Sequence, residues 1–233
     1  MQQCKRNNRQ TLIVLLLLAA ACAGNKRPEM PRELTEFYAP IPGKVPFFKG
    51  ADMNPYWTND GKALPPDLRR LSNLSLTDSD GKALATADLS GKYVLVSFFF
   101  SRCSGICPMV TANVKRLREQ LNDRRNVVFL SISVDPEHDK PEELRQFRAR
   151  NKVPFADWHF TTGSKSEIYE LARSVFQADV TVRGSKDAAD FLHTESVYLL
   201  DTGLYLRGIY RTRGLPDLER LNRELGQLRT EGT

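Results

Sequence analysis

Two cysteines, Cys103 and Cys107, carry most of the chemistry that can be read from this chain of 233 residues. They stand in the run Phe98-Phe99-Phe100-Ser101-Arg102-Cys103-Ser104-Gly105-Ile106-Cys107-Pro108, where an apolar stretch gives way to a turn. Two thiols with three residues between them can close a short disulfide, or they can direct two soft thiolates at one metal ion. A purely structural bridge here would close a loop of about five residues, worth roughly 2 kcal/mol in the chain-entropy model. A domain of this size does not need that staple. The other two cysteines, Cys4 and Cys22, fall in the leader discussed below, so the chain is no disulfide-rich scaffold.

The segments around the pair say how it is held. Tyr93 to Phe100 is a continuous apolar run, the pattern of a strand covered on both faces. Pro108 suits the first turn of a helix, and Val110, Val114, Leu117 and Leu121 then fall on one helical face. The thiols therefore sit between a strand end and a helix start, where the helix dipole is expected to lower their pKa and favour the thiolate. That would suit metal binding and thiol–disulfide exchange alike.

The rest of the chain supplies the frame. Leu74 to Lys82 reads as a strand entering an Asp/Gly turn, the opening of a β-hairpin. Val127 to Val134 is a second β-rich run and Trp158 to Thr162 a third. Between them, Asp139 with Glu142 reads as a capping pair for a helix carrying Leu144 and Phe147. Ser164 and Glu167 read as a second capping box, before Ile168, Leu171, Val175 and Phe176. Ser196 to Leu200 and Leu204 to Tyr210 flank Asp201-Thr202-Gly203 as a hairpin, and a last helix carries Leu218, Leu221, Leu225 and Leu228. Strands alternating with helices and ending in a hairpin give an α/β fold of thioredoxin-like arrangement, a central mixed sheet with helices on both faces.

In such sheets reactive groups gather outside the carboxyl ends of the parallel strands. Cys103 and Cys107 follow one such strand, and Asp135, Pro136, Glu137 and His138 follow the next. The strand Ser196–Leu200 should run antiparallel, which brings its start, with His193 just before it, to the same edge. Of the three histidines, His193 is therefore the candidate ligand. His138 sits in a charged, solvated loop, and His159 lies within the third strand beside Trp158. Two thiolates and one imidazole form a soft, low-coordinate set suited to Cu(I), whereas structural zinc usually takes a fourth protein ligand that is not evident here.

Residues 1–22 read as a targeting segment outside the fold. Lys5, Arg6 and Arg9 precede an apolar core, Leu12 to Leu18, too short to span a bilayer comfortably. Leu18-Ala19-Ala20-Ala21-Cys22 then ends small residues at a cysteine, the pattern of a lipoprotein signal in which Cys22 is lipidated. Ordinary cleavage and an uncleaved anchor are the alternatives. Each puts the working domain in an oxidising, extracytoplasmic space. Residues 23–66 hold eight of the thirteen prolines and read as a tether, whose aromatic stretches at 45–49 and 55–57 dock on the domain at 67–229. The leader supplies +3 of the formal +6, so the rest is only mildly basic, which argues against nucleic acid, and nothing demands an oligomer.

From about Val45 to Leu228 the chain resembles the Sco/SenC family, copper-binding thioredoxin-like proteins that help assemble cytochrome c oxidase. The likeness rests on Cys-Ser-Gly-Ile-Cys-Pro at 103–108, Ser-Val-Asp-Pro-Glu-His-Asp at 133–139 and Phe-Leu-His-Thr-Glu-Ser-Val-Tyr-Leu-Leu-Asp at 191–201. It implies that Cys103, Cys107 and His193 hold one copper ion, Cu(I) or Cu(II), and that Asp135 orients the site without binding the metal. It also implies a metallochaperone rather than an enzyme, with oxidase subunit II as the recipient and a copper-donating chaperone upstream. The family often has Arg where this chain has His138. Two other uses of the same residues are a thiol–disulfide oxidoreductase that keeps the recipient's cysteines reduced, and a copper or redox sensor.

Overall fold

The computed structural model describes residues 40–58, 63–121, 123–178, 195–213 and 215–231. Their elements run β1 (Phe47–Lys49), β2 (Asn54–Tyr56), β3 (Ser75–Asp78), β4 (Ala83–Ala85), α1 (Thr86–Leu89), β5 (Tyr93–Phe99), α2 (Ile106–Gln120), β6 (Val127–Ser133), α3 (Pro141–Arg150), β7 (Trp158–Gly163), α4 (Lys165–Ser174), β8 (Ser196–Leu200), β9 (Leu206–Arg211) and α5 (Leu215–Glu231). Seven strands form one mixed sheet in the order β4-β3-β7-β6-β5-β8-β9. β5, β6 and β7 are parallel, with Tyr93 opposite Val127 and Phe129 opposite Trp158. β3 and β8 flank them antiparallel, and each is extended by its hairpin partner.

The apolar content of β5 and β6 explains their central place. Every residue of both strands except Tyr93 is buried, which requires cover on two faces. Successive strand residues point to opposite faces, and Phe98 and Phe99 meet different helical neighbours. Phe98 packs edge-on against Phe176, which follows α4, at 5.5 Å between ring centres. Phe99 packs against Phe147 of α3 at 4.9 Å and against Phe160 of β7 at 5.5 Å. Helices therefore cover both faces, and the α/β thioredoxin-like arrangement expected from the alternation is the one observed. The helical faces are those the spacing gives: Val110, Val114 and Leu117 of α2 are buried with Leu121, as are Leu218, Leu221, Leu225 and Leu228 of α5.

The β3–β4 hairpin turns as its Asp/Gly sequence requires. The Asp78 carboxylate accepts from the N–H groups of Asp80 and Lys82, each at 2.9 Å, and Gly81 takes φ +79°. In the β8–β9 turn the Asp201 carboxylate accepts from Gly203 and Tyr205, each at 3.0 Å. There the left-handed residue is Leu204, at φ +64°, rather than Gly203.

Three local features differ from the sequence reading. The four-residue helix α1 is too short to announce itself by period. Segments 47–49 and 54–56 pair as an antiparallel β-hairpin, not merely as docked aromatics. Val45 is 2% exposed, and Phe47 lies edge-on to Tyr205 at 5.7 Å. Finally, neither expected capping pair forms. α3 starts at Pro141 with Lys140 as its N-cap, and Ser164, although the N-cap of α4, makes no side-chain cap bond. Asp139 turns inward instead.

Candidate metal centre

Cys103 and Cys107 occupy the turn from β5 into α2, at the carboxyl end of the parallel strands. The turn starts with the Cys103 N–H donating to the Phe100 carbonyl at 3.3 Å. Gly105 is the N-cap of α2 and places Cys107 in its first turn. The Cys107 N–H then donates to the Cys103 sulfur at 3.3 Å, so a helix-end amide with no intrahelical acceptor is satisfied by a thiol. Both thiols are unbonded and buried, Cys103 8% and Cys107 3% exposed.

Burial overrides the helix dipole at Cys107. Loss of solvent pushes this thiol well above the usual thiol range, and its hydrogen bond with Cys103 adds to the rise. A backbone hydrogen bond at Phe100 pulls the other way without cancelling it. The expected lowering of pKa is therefore reversed at this position. Cys107 waits as a protonated thiol, and an ion that binds its sulfur must displace the proton.

The loop after β6 braces this turn. The Val134 N–H donates to the Phe99 carbonyl at 2.8 Å, the last rung between the two strands. Beyond it, Arg102 reaches Asp135 at 2.6 Å, an ion pair between a half-exposed guanidinium and a carboxylate only 10% exposed. Asp135 thus contacts the residue next to Cys103. The Asp139 carboxylate, wholly buried, accepts from the Ser101 N–H at 2.9 Å and from the hydroxyls of Ser101 and Ser133. From α4, the Tyr169 hydroxyl donates to the Val134 carbonyl at 3.1 Å.

β8 runs antiparallel to β5, with Val197 opposite Ser97, so the start of β8 lies at the same edge as the Cys turn. His193 precedes Ser196 by three residues and lies outside the described residues, as does Cys22. His138 is exposed. His159 is half-buried, 3.8 Å from Asp78, and desolvation lowers its pKa despite that carboxylate. Among the described residues no group of three or more His, Cys, Asp or Glu is placed to hold a metal ion. Among the described residues the donors gathered there are two sulfurs, a pair suited to a soft ion.

Ser101, Ser133 and Asp139 are the residues that sequence reasoning misses. A signal for them exists, since Ser133 and Asp139 bound the stretch that leaves a parallel strand at its carboxyl end. Reading Asp139 as a helix cap gives it the wrong partner.

This is a thioredoxin-like α/β domain carrying a buried, unbonded dithiol at a strand-to-helix turn. The SCO1/SenC family model matches residues 67–224, and the chain belongs to that family. It is 38% identical over 125 residues to the SCO1 protein homolog of Bacillus subtilis, a match spanning 53% of this chain and 64% of that relative. A SCO1/SenC family lipoprotein from Bacillus anthracis superposes with a TM-score of 0.63 at 31% identity, over 71% of this chain and 99% of the other. BsSco, described as a member of the Sco family of cytochrome c oxidase assembly proteins with a disulfide switch, gives 0.61 at 29%, over 70% and 94%. Arabidopsis thaliana ScoI, solved with copper bound, gives 0.53 at 26%, over 68% and 98%.

Proposed function

We propose that this protein is a copper metallochaperone that supports assembly of the dinuclear copper site of cytochrome c oxidase subunit II. Cys103 and Cys107 hold one copper ion, Cu(I) or Cu(II), together with His193, and Asp135 steadies the turn through Arg102. The observation that carries the reading is the buried, unbonded dithiol at the edge where β5 and β6 end and β8 begins. Membership of the SCO1/SenC family and the copper-bound Arabidopsis relative support it. The ion is cargo, received from a copper-donating chaperone and passed on. Cys22 carries a lipid that anchors the chain, as a monomer, on the outer side of a membrane. The lipoprotein from Bacillus anthracis supports that placement.

The experiment is a Cu(I) competition titration against a chromophoric chelator, with reduced full-length protein and its His193→Ala variant side by side. Tight one-to-one binding that weakens at least tenfold in the variant is expected. Binding indifferent to His193 would remove it from the site. Weak binding by both would leave a thiol–disulfide oxidoreductase as the better reading. The disulfide switch described for BsSco supports thiol chemistry as a second role to test.

A further inference from the structure

Past the last rung of the β5–β6 ladder the two chains separate, one toward Cys103 and the other into the Asp135–Asp139 turn. Asp139 rejoins them. One carboxylate oxygen accepts from the Ser101 N–H at 2.9 Å and from the Ser133 hydroxyl, and the other accepts from the Ser101 hydroxyl. Its own N–H donates to the Asp135 carbonyl at 2.8 Å. Three donors converge on a side chain that is 0% exposed. A carboxylate satisfies all three, whereas an isosteric amide must turn an N–H₂ toward one of them. Hydrogen bonds to a charged acceptor are the stronger kind, and leaving a buried donor unpaired carries the larger cost.

We propose that Asp139 is a positioning residue that, through Ser101, holds Cys103 and Cys107 in their open dithiol arrangement and so disfavours the disulfide. Ser101 is two residues from Cys103, and its backbone and hydroxyl are both bound to Asp139. The stem of the turn is thereby fixed with the Cys103 sulfur over the Cys107 N–H. Closing the disulfide makes a bond between the two sulfurs, while two electrons and two protons pass to an external disulfide that leaves as a dithiol. That step brings the two sulfurs into covalent contact, whereas the stem holds the Cys103 sulfur as acceptor of the Cys107 N–H at 3.3 Å. Contacts made to one state and not to the other shift the balance between them. The inference concerns the metal-free pair, so it stands or falls apart from the copper reading.

The test is the equilibrium of metal-free full-length protein with reduced and oxidised dithiothreitol, the free thiols being counted by alkylation and mass. Asp139→Asn is expected to shift the constant about tenfold toward the disulfide and Ser101→Ala severalfold in the same direction. The double variant should go no further than Asp139→Asn, because both changes remove the same brace. Arg118→Ala is the stability control. Arg118 pairs with Asp157 at 2.8 Å and stacks on Phe155, and it lies eleven residues along α2 from Cys107, about 16 Å by helical rise. That variant should lose stability and leave the constant unchanged. An unchanged constant in both site variants, or an equal shift in Arg118→Ala, overturns the proposal. If Asp139→Asn does not fold, Ser101→Ala decides alone, since it removes one hydroxyl and keeps the backbone bond.

Discussion

Replacing Arg207 by Met tests whether one buried cation holds the segment before β1 to the domain. Arg207 lies in β9 with its side chain only 6% exposed. Its guanidinium donates to the carbonyls of Pro46 at 3.0 Å and Val45 at 2.7 Å, and to the carboxylates of Asp201 and Glu231, each at 2.8 Å. The Phe47 ring lies 3.8 Å from it. Met fills much of the space but leaves Asp201 and Glu231, 12% and 15% exposed, without their cation. Removing one member of a buried ion pair costs about 3–5 kcal/mol, chiefly through the charge left behind. With a urea slope near 2 kcal/mol/M, a loss of about 4 kcal/mol moves the unfolding midpoint down by about 2 M. Urea unfolding followed by circular dichroism measures this, and limited proteolysis reports release of residues 45–49. Adding Asp201→Asn and Glu231→Gln should restore part of the loss. Both stranded charges then go, while the side-chain amide oxygen introduced by Asp201→Asn still accepts from the turn N–H groups. A loss under 1 kcal/mol for the single variant, or no recovery in the triple, would refute the argument.

Two further outcomes follow from the same geometry. The Cys107 thiol holds its proton more tightly in the folded than in the unfolded chain, so its contribution to stability is complete below the unfolded thiol pKa and is lost as pH rises above it. Between about pH 9 and 10 the reduced protein should therefore lose roughly 1 kcal/mol more than Cys107→Ser, by urea unfolding at each pH, and parallel pH profiles would contradict this. At Gly208 an added Cβ would lie 2.1 Å from the Tyr210 hydroxyl oxygen, whose bond to Glu224 at 2.6 Å ties β9 to α5. Gly208→Ala should cost about 1–3 kcal/mol in thermal or urea unfolding, and a cost below 0.5 kcal/mol would mean that the ring moves aside freely.

The strands and helices were legible because burial imposes period. Tyr93 to Phe99 could only be a strand covered twice, and Val110, Val114 and Leu117 could only share a helical face. Where period is absent the reading stopped. α1 has four residues, and β1 and β2 have three each with Pro46 and Pro55 in or beside them. Their pairing is fixed by distant partners, Arg207 and Tyr205 among them, and no local pattern encodes that.

The site was legible in its backbone and not in its side chains. Strand order brings the Cys turn, the Asp135 turn and the start of β8 to one edge, which follows from alternation of strands and helices. Which way a side chain turns at that edge is decided by the donors it meets there. Asp139 had the spacing of a capping residue, three before Glu142. Yet α3 starts at Pro141 with Lys140 as its N-cap, while Ser101 and Ser133 offer three donors to the Asp139 carboxylate at a fully buried position. Cys107 follows the same logic. The helix terminus favours the thiolate, but that field acts on a residue only 3% exposed, and loss of solvation outweighs it. In both cases the sequence names the local interaction, and burial, a property of the assembled sheet edge, decides against it.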